Sequence, residues 1–322
     1  MNTSSVLLAS TSEVMGDARA LRASLWRLLG AELFKLFSLR LAWVLVGLYL
    51  IFLIGAQLVL AGGADTTGQL LGDPLGAFYN LLEGDLSLIR IFGGIVLLIL
   101  AAHAVGLEYQ YGTIRILLGR GVGRLRLFGA KVLALALVAL SLLSLGLVID
   151  VLFGWAIVTK LSGNERPWQA LGPEYWADVR VYLLAVLISM GATLLLGVAA
   201  AVVGRTLAFG LTVGLCWFAA DNLVLIPLSL LANVTHSAFW FNLSDYLLGP
   251  LLNRLPDVIA PPYHLTVPGD HGPRVIARAV EGFGPLPRLP ISPVHALMVI
   301  AAYCVVFSVA AIALTWRRDV RE

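Results

Sequence analysis

Charge is scarce in this chain. Only 13% of its 322 residues are Asp, Glu, Lys or Arg, where a soluble globular domain carries about a quarter. Hydrophobic residues make up 59%, and the mean hydropathy is +0.90. That excess is more apolar side chain than a core of this size can absorb, so the composition predicts an integral membrane protein. Cysteine is nearly missing too. Cys216 and Cys304 both stand inside apolar runs, where a cysteine acts as a small buried hydrophobe, and their spacing suggests no disulfide.

The motifs of several enzyme classes are also lacking. There is no G-x-x-x-x-G-K-[ST] phosphate loop, no H-E-x-x-H and no G-x-S-x-G elbow. The five histidines (His103, His236, His264, His271 and His295) show no metal-ligand spacing. The sequence therefore implies no catalytic residue, no cofactor and no metal in this chain. A sequence pI near 9.0 does not point to nucleic acid, because the basic residues gather beside apolar spans, where membrane orientation accounts for them.

Six apolar runs are long enough to cross a hydrocarbon core of ~30 Å. They are Leu41–Ala61, Leu88–Leu107, Val132–Val158, Val181–Gly204, Leu207–Ala232 and Val294–Trp316. Pro227 is expected to kink or break the fifth. The first run is too long for the ~7–15-residue core of a signal peptide, although Ala-Gly-Gly-Ala64 imitates a cleavage site. Residues 1–18 are Ser/Thr-rich and expected to be a disordered tail. Across 19–40, leucines recur at steps of three and four (Leu21, Leu25, Leu28, Leu29, Leu33, Leu36), predicting an amphipathic interfacial helix. Arg22 and Glu32 intrude on its apolar arc; the alternative is a cytoplasmic extension of the first span.

Basic residues set the orientation. Arg19, Arg22, Arg27, Lys35 and Arg40 precede the first span; Arg115, Arg120, Arg124, Arg126 and Lys131 follow the second. Arg205 joins the fourth and fifth, and Arg317, Arg318 and Arg321 form the tail at 317–322. The intervening loop of residues 62–85 has Asp65, Asp73, Glu83 and Asp85 with no Lys or Arg. Both termini are thus expected in the cytoplasm. The external segment 233–293 opens with apolar and aromatic residues suited to short helices in the outer leaflet. It then becomes Pro/Gly-rich and reads as an irregular loop.

The stretch 108–131 is a compact basic element between two spans. Gly112 would let the backbone leave the second span sharply, and Thr113 could cap a following short helix. Arg115, Arg120, Arg124 and Arg126 offer donors to carboxylates or lipid phosphate, and Glu108 can pair with one of them or with Lys131. Without a partner, these arginines would do no more than enforce orientation and bind anionic lipid.

Glu108-Tyr-Gln-Tyr-Gly-Thr-x-Arg115, then Leu-Leu-x-Arg120-Gly-x-x-Arg124 and Lys131, resembles the signature of ABC-2-type permeases, the membrane subunits of exporters driven by separate ATPases. The resemblance extends over a six-span domain at 41–316 and covers nearly the whole chain. It implies an all-α fold of six transmembrane helices, an N-terminal interfacial helix and short extracellular helices before the last span. It implies a coupling role for Glu108, Gly112, Thr113, Arg115, Arg120 and Arg124. It further implies ATP and Mg in a partner ATPase, a second permease copy or homologue, a bacterial inner-membrane location and a hydrophobic or amphipathic cargo such as a lipid-like molecule, drug, antibiotic or peptide.

Intramembrane polar residues keep two rivals open. Arg90 and Asp150 stand at similar depth and could pair. Asp221, beside Asn222 in the fifth span, is a functional candidate because an ionised carboxylate there needs a partner or water; a structural bond within a broken helix is the alternative. An ion- or proton-coupled secondary transporter would use Asp221 and Asp150 and work without an ATPase. An intramembrane enzyme would convert substrate alone. Gly210-x-x-x-Gly214 permits close helix packing in the same span but is common by chance. His103 is expected to be a packing residue.

Overall fold

A computed structural model describes residues 25–61, 70–113, 123–162, 166–259 and 291–317. The predicted tail at 1–18, residues 19–24, Arg115, Arg120, the Pro/Gly-rich half of the external segment (260–290) and residues 318–322 lie outside the described residues. Among those described, every regular element is helical. Six helices are long and apolar enough to cross a membrane.

Helix α1 (Leu25–Ser38) is followed, after a one-residue break at Leu39, by α2 (Arg40–Ala61), the first span. The second span is α3 (Pro74–Gln110) and the third α4 (Arg124–Ser162). The fourth is α5 (Pro173–Gly204), and the fifth is split into α6 (Leu207–Leu223) and α7 (Leu225–Thr235). Short helix α8 (Phe239–Leu243) and helix α9 (Leu248–Ile259) precede α10 (Pro293–Arg317), the sixth span. All six expected spans are present, but several helices outrun their apolar cores. At 1.5 Å per residue, α3 and α4 are each about 55–60 Å long, nearly twice the hydrocarbon thickness.

Local chemistry explains the boundaries. Asp73 caps α3, accepting from the Gly76 N–H at 3.0 Å, and Pro74 opens the first turn, where no N–H is needed. The helix therefore begins well before Leu88, and Glu83 and Asp85 are helical rather than loop residues. Arg205 turns the chain between the fourth and fifth spans with φ +56°, and Thr206 caps α6 by accepting from the Phe209 N–H at 3.2 Å. The fifth span breaks at Val224, three residues before Pro227, which has no N–H to offer the Leu223 carbonyl.

Helices α3 and α5 form the centre. In their most apolar windows 61% and 72% of residues are buried, against 17–33% for the other four spans. Small residues let the two approach: a Cβ on Gly197 of α5 would meet Ala101 Cβ at 3.1 Å and Leu98 Cα at 3.3 Å. Gly210 and Gly214 of α6 pack in the same way, on Ala201 and Leu98, so that pair serves contacts within this chain. The apolar faces of α2, α4 and α10, with Trp43, Ile51, Val151, Trp155, Val305 and Val309 exposed, point away from the centre. Cys216 is exposed on the fifth span and Cys304 half-buried; both are free thiols, so the expectation of two buried cysteines fails for Cys216.

Helix α9, in the external segment where short helices were expected, packs into the bundle. Leu248, Leu251, Leu252 and Leu255 bury themselves against Ala185 and Ala192 of α5 and Ala296 and Ile300 of α10. Its apolar stripe is narrow enough to fit between two spans whose facing residues are small.

Gly106 is the tightest test of the packing between α3 and α6. A Cβ there would sit 2.9 Å from Leu207 Cα and 3.0 Å from its nitrogen. Backbone cannot swing aside as a side chain can. Gly106→Ala should lower stability by ~1–3 kcal/mol, read as thermal unfolding of the purified protein. Gly47→Ala, with nothing within 4 Å, should not lower it.

Candidate functional site

The residues Glu108, Tyr109 and Gln110 end α3, and each engages a different neighbour. Glu108 turns to α1 and α4. Tyr109 Oη lies 3.4 Å from Thr315 Oγ1 of α10. Gln110 Oε1 accepts from the Leu207 N–H at 3.3 Å, at the start of α6. Consecutive residues on a helix point about 100° apart, so three in a row reach three directions from one helix end. The Glu-Tyr-Gln motif thus pins the exit of the second span before the chain turns.

The turn follows from glycine. Gly112 has φ +65°, which suits a residue without Cβ, and its N–H reaches the Tyr109 carbonyl at 3.3 Å. Thr113 donates its hydroxyl back to the Glu108 carbonyl at 3.4 Å, helping to close the end of α3; the short helix it was expected to cap lies outside the described residues. Carbonyls orphaned at a helix C-terminus attract such a donor. Residues 114–122 lie outside the described residues, so the predicted contact helix and the positions of Arg115 and Arg120 do too. Arg124, the first residue of α4, donates to the Trp316 carbonyl at the end of α10, 3.3 Å away.

Beneath this turn lies an ionic network. Lys131 Nζ stands 2.6 Å from Glu108 Oε1 and 2.7 Å from Glu32 Oε2, and also donates to the Ala104 carbonyl at 3.3 Å. Lys35 Nζ bridges the same two acids, 2.8 Å from Glu32 and 3.0 Å from Glu108. Lys131 and Glu32 are buried, at 5% and 4% exposure. The Glu108–Lys131 pairing expected from sequence is present. What pattern reading missed was Glu32: it appeared as an intruder on the apolar arc of α1, and it is there because α1 lays that arc on α4, where Lys131 waits. The i,i+3 spacing of Glu32 and Lys35 was a readable sign.

The network ties three elements together. A groove of about 360 Å³ opens between α1 and α3, bordered by Phe34, Lys35, Leu36, His103, Leu107 and Glu108. His103 is thus a half-buried groove residue. Burial works to lower the Lys35 ammonium, but hydrogen bonds and charge from Glu32 and Glu108 outweigh it and hold it above the ordinary value of 10.5. A raised folded-state pKa means that the contribution of Lys35 is complete below pH 10.5 and is lost only as pH rises through the folded value.

At the opposite end of the spans is a second polar region. Asp221, in the last turn of α6, accepts from the Gly249 N–H near the start of α9. A Cβ at Gly249 would meet the Asp221 carbonyl oxygen at 2.7 Å, so glycine is required for this approach. Neither half of the sequence expectation fits fully: the carboxylate is bonded to another helix, not within its own. Asn222 donates back to the Phe218 carbonyl at 2.8 Å. Arg90 and Asp150 do not pair. The Arg90 guanidinium donates to Asn253 of α9, and Asp150 accepts from Gln57 of α2 at 3.3 Å. Arg90 faces the α5–α9 side of α3, whereas Asp150 faces α2. A cavity of about 20 Å³, room for one water, is bordered by Arg90, Thr193, Asp221, Asn222 and Gly249.

Six membrane-length helices, a glycine-turned exit from the second span and an ionic clamp beneath it fit a membrane permease. The family model described as ABC-2 family transporter protein matches residues 28–221, and the chain belongs to that family. The match takes in α1 from Leu28 onward, the clamp, the turn and Asp221. A search of curated proteins gives no match. Family membership makes this chain the membrane component of an ABC transporter, a type of protein that associates with an ABC ATPase.

The clamp yields two predictions. Lys131→Met leaves two acids buried beside each other with only the half-exposed Lys35, and should cost ~3–5 kcal/mol in thermal unfolding, while Arg254→Met, at the more exposed Asp245 pair, should cost less. The stability difference between the parent and Lys35→Met should stay flat from neutral pH up to about 10.5 and shrink above it, read as unfolding midpoints across an alkaline series.

Proposed function

We propose that this chain is the permease half of an ATP-driven exporter, powered through the 108–131 segment by a separate ATPase. The observation that carries the reading is the Glu108–Lys131–Glu32 clamp directly beneath the turn at Gly112. It joins the exit of the second span, the entry of the third and the helix before the first into one unit. A push on the 114–122 segment would reach all three together, because moving one alone would strand a buried charge. The basic side chains of that segment, Arg115 and Arg120, with Arg124 at the head of α4, suit carboxylates on the ATPase surface. Basic residues beside this end of the spans support its facing the cytoplasm, with both termini on that side of a bacterial inner membrane.

Two copies, or this chain with a homologue, would complete the pathway. The apolar faces of α2, α4 and α10 are free for a partner permease or for lipid. The cargo is hydrophobic or amphipathic: a lipid-like molecule, drug, antibiotic or peptide. The largely apolar character of the exposed span faces, where the exposed Ser141 and Ser144 of α4 bond back to their own helix, favours such a cargo over a polar one. ATP and Mg bind in the partner.

The secondary-transporter reading is weaker than it was from sequence. Asp221 is engaged by a backbone amide of α9, and Asp150 is on the other side of α3. They do not form one ion path.

Co-expression with the partner ATPase tests the proposal. Arg115→Glu and Gly112→Pro should each reduce co-purification or coupled ATP hydrolysis by roughly tenfold or more, the effect of losing ~1.4 kcal/mol at a contact. Membrane insertion and the melting temperature of the permease alone should stay as in the parent for Arg115→Glu. Unchanged coupled hydrolysis in both variants would count against the contact.

A further inference from the structure

Three helices bring together an excess of hydrogen-bond acceptors at the end of the bundle opposite the clamp. Gln57 of α2 is 1% exposed and Asp85 of α3 is 7% exposed. The Gln57 amide nitrogen donates to Asp150 of α4 at 3.3 Å, and the Gln57 side chain is also hydrogen-bonded to Asp85. Three oxygens there have no partner: Gln57 Oε1, Asp85 Oδ1 and Asp150 Oδ2. The two carboxylates lie close enough for their charges to act on each other. Counted along the helix axes, Asp85 is about 35 Å from Glu108 and Asp150 about 29 Å from Lys131, which sets the trio at the far membrane boundary.

Among the described residues, no cation compensates Asp85 or Asp150: no Lys, Arg or His pairs with either, and Arg90, on the same helix as Asp85, is turned to Asn253. The titratable groups facing the pair from neighbouring helices are Tyr49 of α2, near Asp150, and Tyr175 of α5, near Asp85. Tyr49 is already committed, donating to the Leu142 carbonyl at 2.9 Å. Farther along α5, Asp178 accepts from Tyr79, and Glu174 also lies near that tyrosine. Close packing seals the site from the bundle side: a Cβ on Gly146, one turn before Asp150, would meet Tyr49 Oη at 2.5 Å and Ile89 at 2.7 Å.

We propose that Gln57, Asp85 and Asp150 form a proton-binding site in which one proton is shared by the two carboxyls across the amide. The matching of donors to acceptors leads there. An amide offers donors on one side and an acceptor on the other. Two carboxylates use only the donor side and leave the Gln57 oxygen stranded. One proton taken from water turns one carboxyl into a donor for that oxygen, while the other stays an acceptor for the amide nitrogen. The addition also removes one of two adjacent charges, that of the buried Asp85 or of the half-buried Asp150, as in other carboxyl pairs that share a proton. A divalent metal fits poorly, since it needs about six oxygen ligands, and no metal-holding cluster occurs among the described residues. Proton occupancy would hold α2 against α3 and α4 at this end; losing the proton would set two anions against each other there and loosen α2. The inference does not rest on the ATPase reading, because its test uses this chain alone.

The test is the pH dependence of unfolding for the full chain in discs of uncharged phospholipid at constant ionic strength. Stability should fall as pH rises above the ordinary carboxylate value of ~3.9, with a slope set by one bound proton, because the folded protein keeps a proton that the unfolded chain has released. Asp150→Asn and Asp85→Asn should each abolish that slope, since the amide is a permanently neutral donor. The infrared carbonyl band of a protonated carboxyl should appear in the parent near neutral pH and vanish in both variants. Absence of that band from the parent would overturn the proposal. So would an equal stabilisation by sodium at fixed pH, which would make the trio a cation site. Should Asp150→Asn fail to fold, Asp85→Asn carries the test, and Gln57→Leu, which takes away the amide that favours the anions, should keep or steepen the slope; loss of the slope in Gln57→Leu would overturn the sharing of a proton by the two carboxyls.

Discussion

A lysine ammonium shut away from water needs negative charge beside it, and Lys131 has two such neighbours. Its bonds to Glu32 and Glu108 are short, and the lysine itself is almost entirely buried. A pair of this kind contributes little net stability compared with apolar packing, yet breaking it is expensive. Its value is therefore specification. It fixes which face of α1 lies on α4 and the height at which α3 ends. The turn at Gly112, the seat of Gln110 on the α5–α6 turn and the reach of Arg124 to the end of α10 all depend on that alignment.

The spans were readable because hydrocarbon leaves the backbone little choice. A chain in lipid must satisfy its own amides, so long apolar runs become helices. Pro227 announced the break in the fifth span for the same reason, and Gly112 announced the turn. The ends of α3 and α4 were harder. Residues 74–87 and 124–131 interleave apolar side chains with charged and polar ones, so neither stretch forms an unbroken apolar run, and at α3 the cap at Asp73-Pro74 is the signal that the helix begins there. Helix propensity continued where hydropathy stopped.

The candidate site was legible in part. Glu108 and Lys131 stand 23 positions apart on either side of one turn, and their opposite charges at one membrane boundary suggested the pair. Glu32 could not be assigned, since its role depends on how α1 rolls onto α4, a tertiary fact. Arg90 and Asp150 misled because depth is visible in sequence and azimuth is not: equal depth put them together, while opposite faces of the bundle keep them apart. Asn253 and Gln57, their actual partners, carry no charge and drew no notice. The bond from Gly249 to Asp221 was hidden in the same way, because a backbone amide has no sequence signature.

The unusual length of α3 and α4 has a mechanical meaning. Both run unbroken from the acid–lysine clamp to the carboxyl trio, and no proline interrupts either beyond the first turn. A rod pinned near its middle by packing behaves as a see-saw. Close contacts near the middles, Gly93 on Met190 in α3 and Gly146 on Ile89 in α4, would supply the fulcrum, and a tilt that lowered one tip would raise the other with little loss to bending. Chemistry performed on one side of a membrane can then be felt on the far side as simple leverage, with no relay of side-chain rearrangements in between.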